Sequence, residues 1–203
     1  MAMTHREALE VLAARRGQRL VITTHGSVDL WASLSDTPRD FSYVPTSMGQ
    51  GPALGLGLAL AQPRHGVVVV TGDGAVLMNL GCLVTLASHP ADLCLVIVDN
   101  AAYEVTGGQP PPGAGHTDFA GLARAAGVGR VYSCATAEEW REVAAEALSG
   151  PGPVVVWLQV AARPGQRPPA AARPMDEQIV RLRQLLRGQQ PADPDAPPVA
   201  VRR

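Results

Sequence analysis

The chain of 203 residues contains no lysine, because all 17 residues counted as lysine or arginine are arginine. A Schiff base with pyridoxal phosphate and a Walker A phosphate loop both need that missing amine, so two large enzyme classes are excluded. Aromatic residues are scarce at 4%, against 46% hydrophobic residues in total, which fits an aliphatic α/β core in a chain long enough for one well-cored domain. The three cysteines, Cys82, Cys94 and Cys134, are odd in number and lack C-x-x-C spacing, which argues against a zinc site or a disulfide framework. They read as small core residues in a reducing compartment. A net charge of -1 gives no electrostatic footprint for nucleic acid or an acidic membrane. No apolar run approaches the ~20 residues that span a bilayer, and "MAMTHREALEVLAARRG" has no apolar signal core, so a cytoplasmic protein is expected.

What is present is an alternation. Thr4 and Glu7 have capping-box spacing and open a helix through Ala14, after which "RLVITT" reads as a strand. Helices are predicted over "SVDLWASL", "GPALGLGLALA", "AVLMNLGCLVTLA", "DFAGLARAAG" and "AEEWREVAAEALS", and strands over "GVVVVT", "LCLVIVD", "VGRVYSC" and "GPVVVWLQV". Strands separated by helices of this length predict an α/β fold, a doubly wound parallel sheet with helices on both faces. Residues 1–162 are assigned to this domain, and residues 163–203 to a Pro/Arg-rich tail with one short helix at about 175–187. Ile179, Leu182, Leu185 and Leu186 fall on one face of that helix, suited to its own domain or to a partner. His65 and His89, next to Pro or Gly turns, read as exposed.

The densest signal is "VVVVTGDGAVLMNLG", which sets Asp73 between two glycines where a buried strand gives way to a helix. A dinucleotide site is the first alternative, but Leu77 stands where G-x-G-x-x-G needs its third glycine. A carboxylate in that turn would also repel phosphate unless a cation stood between them. With Mg²⁺ there, Asp73 becomes a ligand and the N–H groups of Gly74 and Ala75 become diphosphate donors. A neighbouring strand end should supply more ligands, and the amide of Asn100 with the carbonyl of Ala102 fits. In isolation, Asp73 and Asn100 also read as turn and cap residues.

"GDG", 25 intervening residues and then Asn100 in "DN" resemble the cofactor motif of the thiamine diphosphate-dependent decarboxylase superfamily. "DFSYVPTSMGQGPALGLGLALAQP" is similar to the family segment in which a bulky residue before glycine wedges the cofactor into a V shape. By that resemblance Met48 is the wedge, the Thr46 carbonyl and the Met48 N–H hold the aminopyrimidine, and Ser47 is a cofactor-binding residue. His25, Gly26, Ser27, Gly72, Gly74, Ala75 and Tyr103 contact the cofactor, and Asp73, Asn100 and Ala102 bind Mg²⁺. The likeness is to the diphosphate-binding (PP) domain, most of all to the sulfopyruvate decarboxylase β subunit and the matching half of phosphonopyruvate decarboxylase. Glu104 and His116, in the loop after "DN", are candidates for handling a proton or the substrate carboxylate. Three consecutive prolines set this loop apart from the family pattern.

In that family a Glu from a pyrimidine-binding domain activates the cofactor. The expectation is therefore a β-type subunit completed by an α-type, pyrimidine-binding partner, in a hetero-oligomer such as α2β2, acting on a small 2-oxo acid. An acetolactate synthase-like carboligase subunit and a non-catalytic regulatory subunit are the alternatives.

Overall fold

The computed structural model describes residues 2–44, 48–162 and 171–188. In chain order the elements are α1 (His5–Arg15), β1 (Leu20–Thr24), α2 (Ser27–Ala32), β2 (Asp40–Tyr43), α3 (Gly51–Ala61), β3 (Val67–Gly72), α4 (Asp73–Met78), α5 (Gly81–Ser88), β4 (Leu93–Asp99), α6 (Phe119–Ala125), β5 (Arg130–Cys134), α7 (Ala137–Ala147), β6 (Val154–Gln159) and α8 (Met175–Gly188). The strands form one parallel sheet in the order β2-β1-β3-β4-β6-β5, the doubly wound α/β arrangement expected.

Strands buried on both faces need apolar residues at successive positions, and the valine run supplies them. Val68 and Val70 join α1, α2 and α7 in one core layer, whereas Val67 and Val69 face α3, α5 and α6 in the other. Thr4 caps α1 in the capping box that its spacing predicts, accepting from the Glu7 N–H at 3.2 Å while Glu7 accepts from the Thr4 N–H at 2.8 Å. Trp140 ties α7 to α1 by donating from Nε1 to the Ala8 carbonyl at 3.0 Å. Gly55 brings α3 close to the sheet, since a Cβ there would drive into the Val69 side chain. Cys82, Cys94 and Cys134 are free and buried, and burial pushes their thiols up to about 11, 12 and 11 respectively.

Three features depart from the sequence reading. The strand β2 was not expected; it is four half-buried residues, and its place is fixed by pairing Ile22 with Phe41 rather than by its own pattern. The helix read through "AVLMNLGCLVTLA" is two helices, because Asn79 leaves helical geometry at φ -148° and donates from Nδ2 to the Gly49 carbonyl at 3.2 Å. His65 is buried, with 9% exposure, because its turn folds back with the His65 N–H on the Gln62 carbonyl at 2.9 Å.

The helix α8 lies against the edge strand β2. Gln178 accepts from the Ser42 N–H at 2.7 Å and donates to the Arg173 carbonyl at 2.9 Å, while Leu182, Leu185 and Leu186 pack on the core layer of α3. Among the described residues no helix is long and apolar enough to cross a membrane.

Candidate functional site

From β1 the chain moves outward to β2 and then returns across β1 to β3, so the winding direction reverses between β1 and β3. Loops leaving adjacent strands in opposite directions open a crevice at their carboxyl ends, where ligands bind in sheets of this kind. A cavity of about 280 Å³ lies there, and loops following β1, β2, β3 and β4 all reach it.

The β3 loop forms its centre. Gly72 is extended at φ -83° and ψ 158°, and Asp73 begins α4 with only 3% exposure. Burial, and then the negative charge of Asp99, push the Asp73 carboxyl up to about 7, while the Gly74 N–H bonded to it opposes the shift. Gly74 leaves room for Tyr103, because a Cβ at this position would run into the phenol ring.

In the β4 loop, Asp99 accepts from the Ala101 N–H at 3.0 Å and from Trp157 Nε1 at 2.9 Å. Asn100 accepts from the Ala102 N–H at 3.0 Å, an Asx turn that leaves a second lone pair on its amide oxygen. Gly72 pairs with Val98 in the sheet, so Asp73 and Asn100 emerge from neighbouring strand ends. Tyr103 then closes a small hairpin with Gln109, its N–H donating to the Gln109 carbonyl at 2.8 Å, before the 3-10 turn Glu104–Thr106.

The turn after β2 contributes Met48, 53% exposed, followed by Gly49 at φ +81°. A Cβ on Gly49 would lie 2.7 Å from the Ala75 carbonyl oxygen, so this turn sits directly on α4. At the end of β1, Thr24 donates to the Val70 carbonyl at 3.1 Å, and Ser27 Oγ lies 2.9 Å from His5 Nε2. Burial lowers the pKa of His25. A Cβ on Gly26 would come within 3.4 Å of Glu104 Oε2, so the β4 loop reaches across to the β1 loop.

Among the described residues, His25 (φ +51°), Met48 (φ +40°) and Ala101 (φ +53°) are the non-glycine residues in the left-handed region. They sit on three different loops around one cavity, and strained backbone of this kind concentrates where a ligand must be held.

Of the residues singled out from the sequence, His25, Gly26, Ser27, Met48, Gly72, Asp73, Gly74, Ala75, Asn100, Ala102, Tyr103 and Glu104 all line this cavity. Thr46 and Ser47 lie outside the described residues. His116 is exposed and does not line the cavity, although its neighbours in 113–117 pack beside Asp73 and Asp99. Sequence reasoning missed His5, Thr24, Met78, Val98, Val105 and Thr106. Met78 was accessible from helical spacing, one turn beyond Ala75. His5 was not, because α1 reaches the cavity only through tertiary packing.

The family described as "Thiamine pyrophosphate enzyme, C-terminal TPP binding domain" matches residues 25–158. The chain belongs to this family. It is 39% identical over 161 residues to a phosphonopyruvate decarboxylase of Streptomyces viridochromogenes, covering 78% of this chain and 39% of the relative. It is 33% identical over 159 residues to a sulfopyruvate decarboxylase subunit beta of Methanococcus maripaludis, covering 77% of this chain and 83% of that subunit. The chain thus spans about two fifths of the first relative and most of the second. The benzoylformate decarboxylase of Polynucleobacter necessarius shares the fold, with TM-score 0.69 and 20% identity over 81% of this chain and 34% of the other. The matched thiamine diphosphate-binding segment thus begins at His25, where the β1 loop opens, and spans the β3 and β4 loops, while His5 and Thr24 lie outside it.

The residues present fit a diphosphate held through a cation. Asp73 is a buried carboxylate beside a second one, and among the described residues the lining includes no lysine or arginine to balance it. The nearby donors are oxygens, from the Asp73 carboxylate, the Asn100 amide and the Ala102 carbonyl, a hard set suited to a small divalent cation.

Proposed function

We propose that this chain is the diphosphate-binding, β-type subunit of a thiamine diphosphate- and Mg²⁺-dependent 2-oxo acid decarboxylase. The observation that carries the reading is the meeting, in one cavity at the β1/β3 crevice, of Asp73, Asn100 and the Met48 turn within a chain of the thiamine diphosphate-binding family. Asp73, Asn100 and the Ala102 carbonyl would hold Mg²⁺, and the Ala75 N–H at the start of α4 would donate to the diphosphate. Positive charge beside Asp73 would reverse the shift of its carboxyl and keep it ionised. When bound, the cofactor supplies an electron sink for loss of CO2 from the substrate.

This chain's own residues then orient, shield and exchange protons. Met48 stands at the cavity in a fixed turn, placed to set the bend of the cofactor. Glu104 reaches over the β1 loop, and His5 with Ser27 forms a buried hydrogen-bonded pair at the wall. Glu104 is assigned to proton transfer or substrate orientation. His116, exposed and outside the lining, keeps that role only by movement of its loop.

A partner carrying the activating Glu belongs to the same reading, in a hetero-oligomer such as α2β2 in the cytoplasm. Leu54 and Leu60 on α3, Met78 and Leu80 around the α4–α5 junction and Val84 on α5 are exposed, an apolar surface of the kind that docks another chain. The relative named as a beta subunit supports the same division of labour. Substrates in keeping with the relatives' names are 3-sulfopyruvate and 3-phosphonopyruvate. A carboligase is the second reading, favoured by 31% identity over 176 residues to the acetolactate synthase large subunit of Parasynechococcus marenigrum.

The decisive test is calorimetric titration of thiamine diphosphate, with Mg²⁺ or chelator, into this chain alone and with an α-type partner. Mg²⁺-dependent binding that tightens with the partner is expected. Absence of binding under every condition would overturn the assignment. Product analysis with and without an acceptor aldehyde separates decarboxylase from carboligase.

A further inference from the structure

The amino ends of β1 and β3 carry a second concavity, about 570 Å³ in volume, at the opposite end of the strands from the cavity just described. Arginines at 15, 16, 19, 39 and 64 line it, with Asp92 as the one lining carboxylate among the described residues. In a chain whose net charge is -1, this is a marked segregation of positive charge.

Two of these arginines have structural partners. Arg16 lies 2.9 Å from Asp40 and donates from Nη2 to Ser35 and Thr37. Arg19 donates from Nε to the Leu148 carbonyl at 2.7 Å and from Nη1 to Asp92 at 2.8 Å, and its Nη2 makes no bond to the described residues. Gly66 allows this arrangement, since a Cβ there would collide with the Arg19 guanidinium. The floor is therefore a fixed, half-buried guanidinium with donors to spare.

The rim is different. Among the described residues Arg15, Arg39 and Arg64 form no ion pair with a carboxylate; Arg39 donates only to the Gln18 carbonyl, at 2.8 Å. The carboxyl end of α1 complements Arg15, but among the described residues Arg39 and Arg64 have no such counterpart. His65 is buried beside them, and burial followed by the charge of Arg39 lowers its pKa, leaving it a neutral hydrogen-bonding group.

We propose that this concavity binds a small polyanion with two or more linked phosphates, a nucleoside di- or triphosphate or an inorganic polyphosphate. Arg39 and Arg64 bind the phosphates, Arg19 donates from the floor and Arg15 completes the rim. Guanidinium groups suit phosphate oxygens through paired N–H donors, and the two arginines without a carboxylate or helix-end counterpart among the described residues, Arg39 and Arg64, call for a ligand with more than one charge. The volume lies within the roughly 300–1,000 Å³ typical of small-molecule sites. At about 3.3 Å per residue along the strands, the site is about 20 Å from the carboxyl-end cavity and independent of what binds there.

The test is calorimetry with inorganic triphosphate, then ATP, titrated into the full chain without divalent cations. The chains compared are the parent, Arg39→Gln/Arg64→Gln, Arg15→Gln/Arg64→Gln and Asp73→Ala. One site per chain is expected, weakened about tenfold or more in each double arginine variant, by the strength of charge-assisted bonds, and unchanged in Asp73→Ala. Melting temperatures establish that the variants are folded, and Arg15 and Arg64 are exposed enough to be replaced without touching the core. Equal affinity for ATP and triphosphate assigns recognition to the phosphate chain, and tighter ATP binding assigns it to a nucleotide. No binding by the parent, undiminished binding by both double variants, a change in affinity in either direction in Asp73→Ala, or stronger binding of a duplex oligonucleotide than of either probe would each overturn the proposal.

Discussion

The strands β1 and β3 end in opposite chemistries. At their carboxyl ends the site is built largely from backbone: left-handed turns, the first N–H groups of α4 and glycines that make room for neighbours, with acids as the charged centre. At their amino ends it is built from side chains, a set of guanidiniums gathered from α1, the turn before β2 and the turn before β3. A backbone-made site depends on loop conformation and tolerates few substitutions at its glycines. A side-chain-made site depends on charge number and geometry and should lose affinity in steps. The two ends should therefore respond differently to mutation, pH and salt.

The largest expected difference is Asp73→Ala, which should lower Mg²⁺-dependent thiamine diphosphate affinity in the assembled complex by more than about 100-fold, beyond the range for outer-shell partners of a metal. Calorimetry that returned the parent affinity would remove Asp73 from the metal site.

Gly74→Ala comes next. Its new methyl group meets the Tyr103 ring, and overpacking of this kind costs about 1–3 kcal/mol. Both the melting temperature and cofactor affinity should fall; a variant with parental values for both would mean that the β4 loop moves aside freely.

The pH response separates the ends without disturbing the glycines. The Asp73 carboxyl titrates at about 7 in the folded chain, above the ordinary 3.8, so the folded state binds the extra proton between those values. Stability of the metal-free chain should fall as pH rises from about 4 to 7, and the penalty is complete above 7. Asp73→Asn should flatten that decline; melting curves of the two chains that remain parallel from pH 4 to 8 would rule out Asp73 as its source.

The smallest effect on stability should come from Met48→Ala. Met48 is half exposed, so unfolding free energy should change by about 0.5 kcal/mol or less, while diphosphate binding persists and turnover by the assembled complex slows. Equal turnover would exclude Met48 from setting the cofactor's bend.

Much of the carboxyl-end site could be read from sequence because its parts are local. "TGDGA" and "DNAAYE" each place a strand end, a turn and a polar group within a few residues, and the valine run fixes where the strand stops. The doubly wound fold followed from the same alternation. β2 escaped because its four residues carry no pattern of their own, and the break at Asn79 escaped because it depends on a hydrogen bond to Gly49, 30 residues away. His5 and the arginine concavity share a physical reason. Their residues are scattered along the chain, and only the packing of α1 and the strand starts brings them to a common place.

Gln178 has a consequence for assembly as well as for folding. An edge strand presents free peptide groups on which another sheet can grow. At Ser42 that growth point is occupied by a side-chain amide, which accepts from the N–H at 2.7 Å and directs its own N–H toward the carbonyl at 3.5 Å. The amide mimics one peptide unit of a missing seventh strand and cannot be extended, so α8 acts as a terminator that closes the β2 edge at Ser42 to further strand pairing.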